Sequence, residues 1–104
     1  MARVVRSPLA KRDIVDVLAF TRRHWGADQA LAYAALIRDA ISALAEDAAC
    51  GRPRDDLRRG LRAYHLRERG QPARHVLFYM QGDDRTVVIV RLLHDSMDFE
   101  RHLR

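Results

Sequence analysis

The sequence predicts an α+β fold: a helical hairpin packed on a mainly antiparallel sheet, in the order β-α-α-β-β-β with a short C-terminal helix. Three observations predict it. Two long stretches meeting at Gly26 carry apolar residues at three- and four-residue spacing. Three later segments alternate apolar and polar residues or are apolar throughout, and turn-forming residues separate them. The last of these, Val87-Val88-Ile89-Val90 followed by Leu92 and Leu93, is β-branched, too short to span a membrane, and apolar on both faces. It is expected to be a central strand covered on both sides, with the charged tail from His94 onward leaving its end.

Residues 1–6, with Val4 and Val5 between Arg3 and Arg6, suit a short edge strand. Ser7-Pro8 then supplies a helix start, since serine caps the first turn and proline has no N–H to leave unpaired there. Leu9, Ala10, Ile14, Val17, Leu18, Thr21 and Trp25 form one apolar face, with Asp13 and Asp16 expected off it. Arg22, Arg23 and His24 complement the dipole of the last turn, and Gly26 stops the helix. A second helix is expected from near Asp28 to near Ala49, its core stripe made by Ala30, Tyr33, Ala34, Ile37, Ile41 and Leu44. Leu31 and Leu36 lie off that stripe, so a surplus apolar face is expected to need a cover. The short link makes the two helices an antiparallel hairpin.

Residues 51–60 look like a polar, arginine-rich loop. Strands are expected at 61–66, with Arg62, Tyr64 and Leu66 opposite Leu61, Ala63 and His65, and at 74–80, with Val76, Phe78 and Met80 opposite His75, Leu77 and Tyr79. Gln81-Gly82-Asp83-Asp84 is the turn before the last strand. Asp95, Ser96 or Asp98 can cap the final helix, whose apolar edge is Phe99 and Leu103.

The chain's 104 residues suffice for one domain, 1–104, with a single core. Nineteen basic residues against fourteen acidic ones give +5, almost all of it arginine, which suits an anionic partner such as nucleic acid or an acidic protein. Cys50 is the sole cysteine, so no intrachain disulfide forms. No basic-then-apolar leader opens the chain, which predicts a cytoplasmic protein with no membrane association. His24, His65, His75, His94 and His102 have no ligand pairs at metal-binding spacing, so no metal or other cofactor is expected. Ser7 suits a cap and Ser42 lies mid-helix, so neither suits a nucleophile.

An ordered set of short pieces resembles a known family. It runs through Ser7-Pro8 with Ala10, Asp13 and Ile14; Trp25-Gly26 with Ala30 and Tyr33; Gly51-Arg52; and Gly60-Leu61-Arg62. It continues in His75-Val76-Leu77-Phe78-Tyr79, Ile89-Val90-Arg91-Leu92-Leu93-His94, Met97-Asp98 and Arg101-His102-Leu103. The set resembles the ParE toxins of the RelE/ParE superfamily, found in bacterial type II toxin–antitoxin systems. Asp47-Ala48-Ala49-Cys50 departs from it, because relatives often have a proline before the glycine.

The resemblance implies a toxin wrapped by the C-terminal segment of a ParD-like antitoxin, reaching operator DNA only through that antitoxin, and acting on DNA gyrase. RelE-like relatives instead cut messenger RNA on the ribosome. Candidate antitoxin contacts are Leu18, Leu31, Leu36, Arg58, Arg59, Arg62 and Arg91. Candidate toxicity residues are His94, Met97, Asp98, Phe99, Arg101 and Leu103. RNA cleavage needs a general base, a general acid and cations on the phosphate, which His65, His75, Tyr79, His94, Arg62 and Arg91 match in type. Against it, strand parity separates Arg91 from His94. The segment after His94 also carries Asp95 and Asp98 where a phosphate wants cations, and Phe99 where a hydroxyl is wanted. The reading drawn from the sequence is therefore a non-enzymatic gyrase poison, with a ribosome-dependent endoribonuclease second and a module that binds only antitoxin third.

Overall fold

The structure is a computed structural model describing residues 2–103. Ser7 starts the first helix as its chemistry requires: the hydroxyl accepts from the Ala10 N–H at 3.0 Å, and Pro8 opens α1 (Pro8–Trp25). Gly26, at φ 94°, ends α1 and begins α2 (Ala27–Glu46), so the hairpin link is one residue. A side chain at that φ would be strained, which is why glycine stands there. The expected end of α2 near Ala49 is corrected to Glu46. Asp47 is extended, and its carboxylate accepts the Ala49 N–H at 3.1 Å, turning the chain out of the helix.

Among the described residues the sheet has five strands in the order β1-β5-β4-β3-β2. β1 (Arg3–Arg6) lies at one edge, parallel to β5 (Thr86–His94), and the other pairings are antiparallel. The expected first strand began at Met1, which lies outside the described residues. β2 (Arg52–Pro53) was not foreseen; it pairs with β3 (Leu61–His65) inside the segment taken for a loop. A 3₁₀ turn over Leu66–Arg69 follows β3, then β4 (His75–Gln81), β5 and α3 (Phe99–Leu103).

Two clusters of buried residues fill the two sides of the sheet. The helix-side cluster joins Ala10, Ile37, Ala40 and Leu44 to Tyr64, Leu66, Leu77, Tyr79, Val87, Ile89 and Leu92. The other holds Leu61, Val76, Phe78, Leu93 and Leu103, with Phe99 packed against it. The alternation expected for β3 and β4 is thus observed. β5 departs from simple alternation: Tyr79 faces Ile89 and Phe78 faces Arg91, leaving Val90 as a bulge. That extra residue puts both Ile89 and Leu92 under the helices although they are three apart. β5 was expected to be central and covered on both sides. It is second from the edge, and Val88 and Val90 are only half-buried, because α3 and nearby loop residues cover part of the second face.

Candidate functional site

β1 ends at Arg6, so β5 beyond Ile89 would present an unpaired edge. α1 closes it. The Ser7 N–H donates to Ile89 C=O, the Ser7 hydroxyl to Val90 C=O, and the Leu92 N–H to the Asp13 carboxylate. Asp13 was expected to face away from the core. Instead it takes a bidentate guanidinium, Arg91 Nε at 2.7 Å and Nη2 at 3.0 Å, and Arg91 Nη1 reaches the His102 carbonyl at 3.3 Å. Arg91, a candidate antitoxin contact, is therefore committed to an internal pair whose side chains are 15% and 13% exposed.

At the far end of the sheet a polar cluster gathers around Asp95. Arg74 and His65 hold its carboxylate and push its pKa far below the usual range, the Arg74 hydrogen bond being the larger cause. The Arg67 N–H donates to His65 Nδ1 at 3.2 Å, so the imidazole proton sits on Nε2 and points at Asp95, 3.0 Å away. Both His65 nitrogens are thus used. His94 Nδ1 accepts from the Ser96 N–H at 3.1 Å and lies 2.7 Å from its hydroxyl. His75 packs edge-on to His94 and lies 2.7 Å from the Tyr33 hydroxyl; burial, then the His94 charge, lower its pKa to about 4. Tyr79 is wholly buried, donating to Ala48 C=O and accepting the Gly51 N–H, both at 2.8 Å; burial raises its pKa to about 12. A Cβ on Gly51 would meet the Tyr79 hydroxyl oxygen at 2.5 Å. The residue types that suggested RNA cleavage are thus largely fastening loops and strand ends. Arg91 and His94 do lie on opposite faces of β5.

The helical side is different. An apolar groove of about 440 Å³ runs between β1, α1 and α2, lined by Val4, Ile14, Leu18, Ile37 and Ile41, with Arg6 and Arg38 also lining it. Through Leu18 and Ala34 it continues into a second depression between the helices, where Leu31 is 70% exposed. Leu18 and Leu31 are thus placed together along one trough. Leu36 is corrected: it is 8% exposed and joins the helix-side core with Leu66, because α2 also packs on the 3₁₀ turn. It adds nothing to an open face. Arg58 and Arg59 are exposed, whereas Arg62 donates to Gly51 C=O at 2.7 Å and Ala49 C=O at 3.2 Å, tying down the segment after α2.

Of the candidate toxicity residues, Leu103 is buried, and Phe99 stacks edge-on against Phe78 with ring centroids 4.8 Å apart. Met97, Asp98 and Arg101 are exposed. Phe20, which counts with Leu31 and Leu36 among the apolar residues whose sum suggests a partner groove, is 51% exposed and stacked on His24, whereas Trp25, expected on the apolar face of α1, is exposed. No group of side chains suited to a metal is found among the described residues, and no described helix is long and apolar enough to cross a membrane.

Residues 4–99 match a family model described as the ParE toxin of type II toxin–antitoxin system, parDE. A protein named Toxin ParE1 from Caulobacter vibrioides is 36% identical over 94 residues, 90% of each chain. Another Toxin ParE1, from Mycobacterium tuberculosis, is 32% identical over 102 residues, 98% of each chain. Among solved structures, one titled "Chromosomal ParDE TA system from P. aeruginosa" superposes with a TM-score of 0.74 at 17% identity, covering 90% of this chain and 96% of that one. At that identity the likeness concerns the fold, and it supports the α+β architecture.

Proposed function

This chain belongs to the ParE toxins of type II toxin–antitoxin systems, and we propose that it arrests growth by binding DNA gyrase and is held inactive by a ParD-like antitoxin laid along the helical hairpin. The observation that carries the antitoxin side is the trough from Val4 through Leu18 to Leu31. It is apolar, open, and bordered by Arg6, Arg22 and Arg38, which suits an amphipathic acidic segment. Exposed Arg58 and Arg59 add to the same attraction, since an acidic partner is steered by unpaired surface cations. The toxin's own action is non-enzymatic. His65 has no nitrogen left for a substrate proton, Arg91 is bound to Asp13, and the phenol of Tyr79 is enclosed.

Expression alone should stop growth, and co-expression with its ParD-like antitoxin should restore it. Purified toxin should block gyrase supercoiling or trap cleaved DNA while ribosome-bound message stays intact. Message cut on translating ribosomes, with gyrase unaffected, would replace this mechanism by the endoribonuclease.

A further inference from the structure

Resting on the reading of the chain as a gyrase poison, we propose that DNA gyrase is met by a separate apolar pocket, between the C-terminal half of α1 and the end of β5, which takes an apolar side chain from a basic segment of that enzyme. The pocket holds about 390 Å³. Asp16, Val17 and Phe20 of α1 line it, with His75 of β4, His94 of β5 and Met97 of the segment that follows. It shares no lining residue with the trough between the helices. Helix geometry explains the separation. At about 100° per residue, Leu18 and Phe20 stand about 200° apart around α1, so Leu18 turns toward α2 and Phe20 away from it.

The floor of the pocket is already set. His75 lies 2.7 Å from the Tyr33 hydroxyl and packs edge-on to His94, whose Nδ1 accepts the Ser96 N–H. A preformed site loses little freedom when it is filled. Phe20 and Met97 stand exposed at the mouth, and His24 stacks on the Phe20 ring with centroids 4.0 Å apart. An aromatic ring and a flexible thioether suit an anchor that must fit a partner's surface.

Charge selects the occupant. No lysine or arginine lines this pocket. Asp16 on its wall, and Asp98 next to Met97 in the chain, are exposed and have no ion-pair partner among the described residues. His75, its pKa lowered to about 4 by burial and then by the His94 charge, adds no cation at neutral pH. The trough is lined instead by Arg6, Arg22 and Arg38. The two depressions thus carry opposite signs within a chain of net charge +5. An acidic antitoxin is drawn to the arginines and repelled by Asp16, whereas a segment with lysine or arginine beside its apolar residue matches the pocket.

The test measures the toxin concentration that halves gyrase supercoiling and, in parallel, the affinity for the ParD-like antitoxin. Phe20→Ala and Met97→Ala should each raise that concentration about tenfold, and Asp16→Lys as much, because the added cation repels a basic segment. Antitoxin affinity should change by less than about twofold in all three, which also reports that each variant is folded. Val15→Ala, exposed on α1 outside both depressions, should alter neither quantity. Inhibition by the wild type that survives all three pocket variants overturns the pocket and leaves the gyrase reading intact. Joint loss of gyrase inhibition and antitoxin affinity in Asp16→Lys, an exposed position, gives this face to the antitoxin and overturns the proposal. Self-association of the toxin that the variants abolish gives it to a second copy and does the same. A wild-type toxin without effect on gyrase overturns both the pocket and the gyrase reading.

Discussion

Replacing Asp13 by alanine removes three interactions at once. The Arg91 guanidinium loses both contacts, at 2.7 and 3.0 Å, and the Leu92 N–H loses its acceptor at 3.0 Å. The pair is mostly covered, so the stranded arginine regains little water. Breaking a covered pair from one side costs about 3–5 kcal/mol, and an orphaned backbone N–H accounts for about 1–3 kcal/mol of such a loss. Total stability for a domain of this size is about 5–15 kcal/mol, so the variant should lose about a fifth of it or more. In urea, a slope of about 2 kcal/mol per molar places the midpoint roughly 2 M lower, with the slope unchanged. Asp13→Asn keeps an acceptor for Leu92 and should fall between wild type and alanine. Asp13→Leu with Arg91→Met removes the stranded charge and should recover about half the loss, the Leu92 N–H accounting for the rest. A loss below about 1 kcal/mol in Asp13→Ala, or a double variant no better than the single, would refute the pair as the clasp between α1 and β5.

His75 has its folded pKa lowered to about 4, so the folded state binds this proton less readily than the unfolded chain. Its contribution is complete above the unfolded value near 6.5 and is lost as pH falls through about 4. Urea midpoints between pH 7.5 and pH 4 should fall more steeply in the wild type than in His75→Gln. Tyr79→Phe leaves the Gly51 N–H and Ala48 C=O without their partner and should cost about 1–3 kcal/mol by chemical denaturation. Leu103→Ala opens a cavity beside Phe78 and Leu93 and should cost about 2–5 kcal/mol, while ending the chain after His94 should abolish growth arrest. His94→Gln, which loses the contact to Ser96, should weaken growth arrest only modestly, as read by colony counts after induction.

What was legible in the sequence was local chemistry. Ser7-Pro8 and Gly26 placed the hairpin because a cap and a stop act within one turn of their own residues. The alternation in β3 and β4 placed both faces of the sheet. What was not legible depended on distant partners. Asp13 and Arg91 lie 78 positions apart, and no periodicity links them. β2 is two residues long, too short to show a pattern. Leu36 looked surplus because the turn that covers it, Leu66–Arg69, was taken simply as the end of a strand. The trough was half-legible: Leu31 was seen to lie off the stripe, but the share of Val4 and Arg6 follows only from where β1 settles.

The pairing of the first strand with the last has a consequence for when the chain becomes dangerous. β1 is synthesised before β5 and lacks that partner until Thr86 and the residues after it emerge. Asp13, likewise early, waits for Arg91, and α3 waits for both. Closing so long a separation comes late in folding, because its entropy must be met before the contacts form. A nascent chain halted before residue 86 therefore holds a helical hairpin and an unfinished sheet with its trough ill-formed. During translation this arrangement acts as a built-in delay. The delay can be timed by protease resistance on stalled ribosomes, which should appear only once β5 has cleared the exit tunnel.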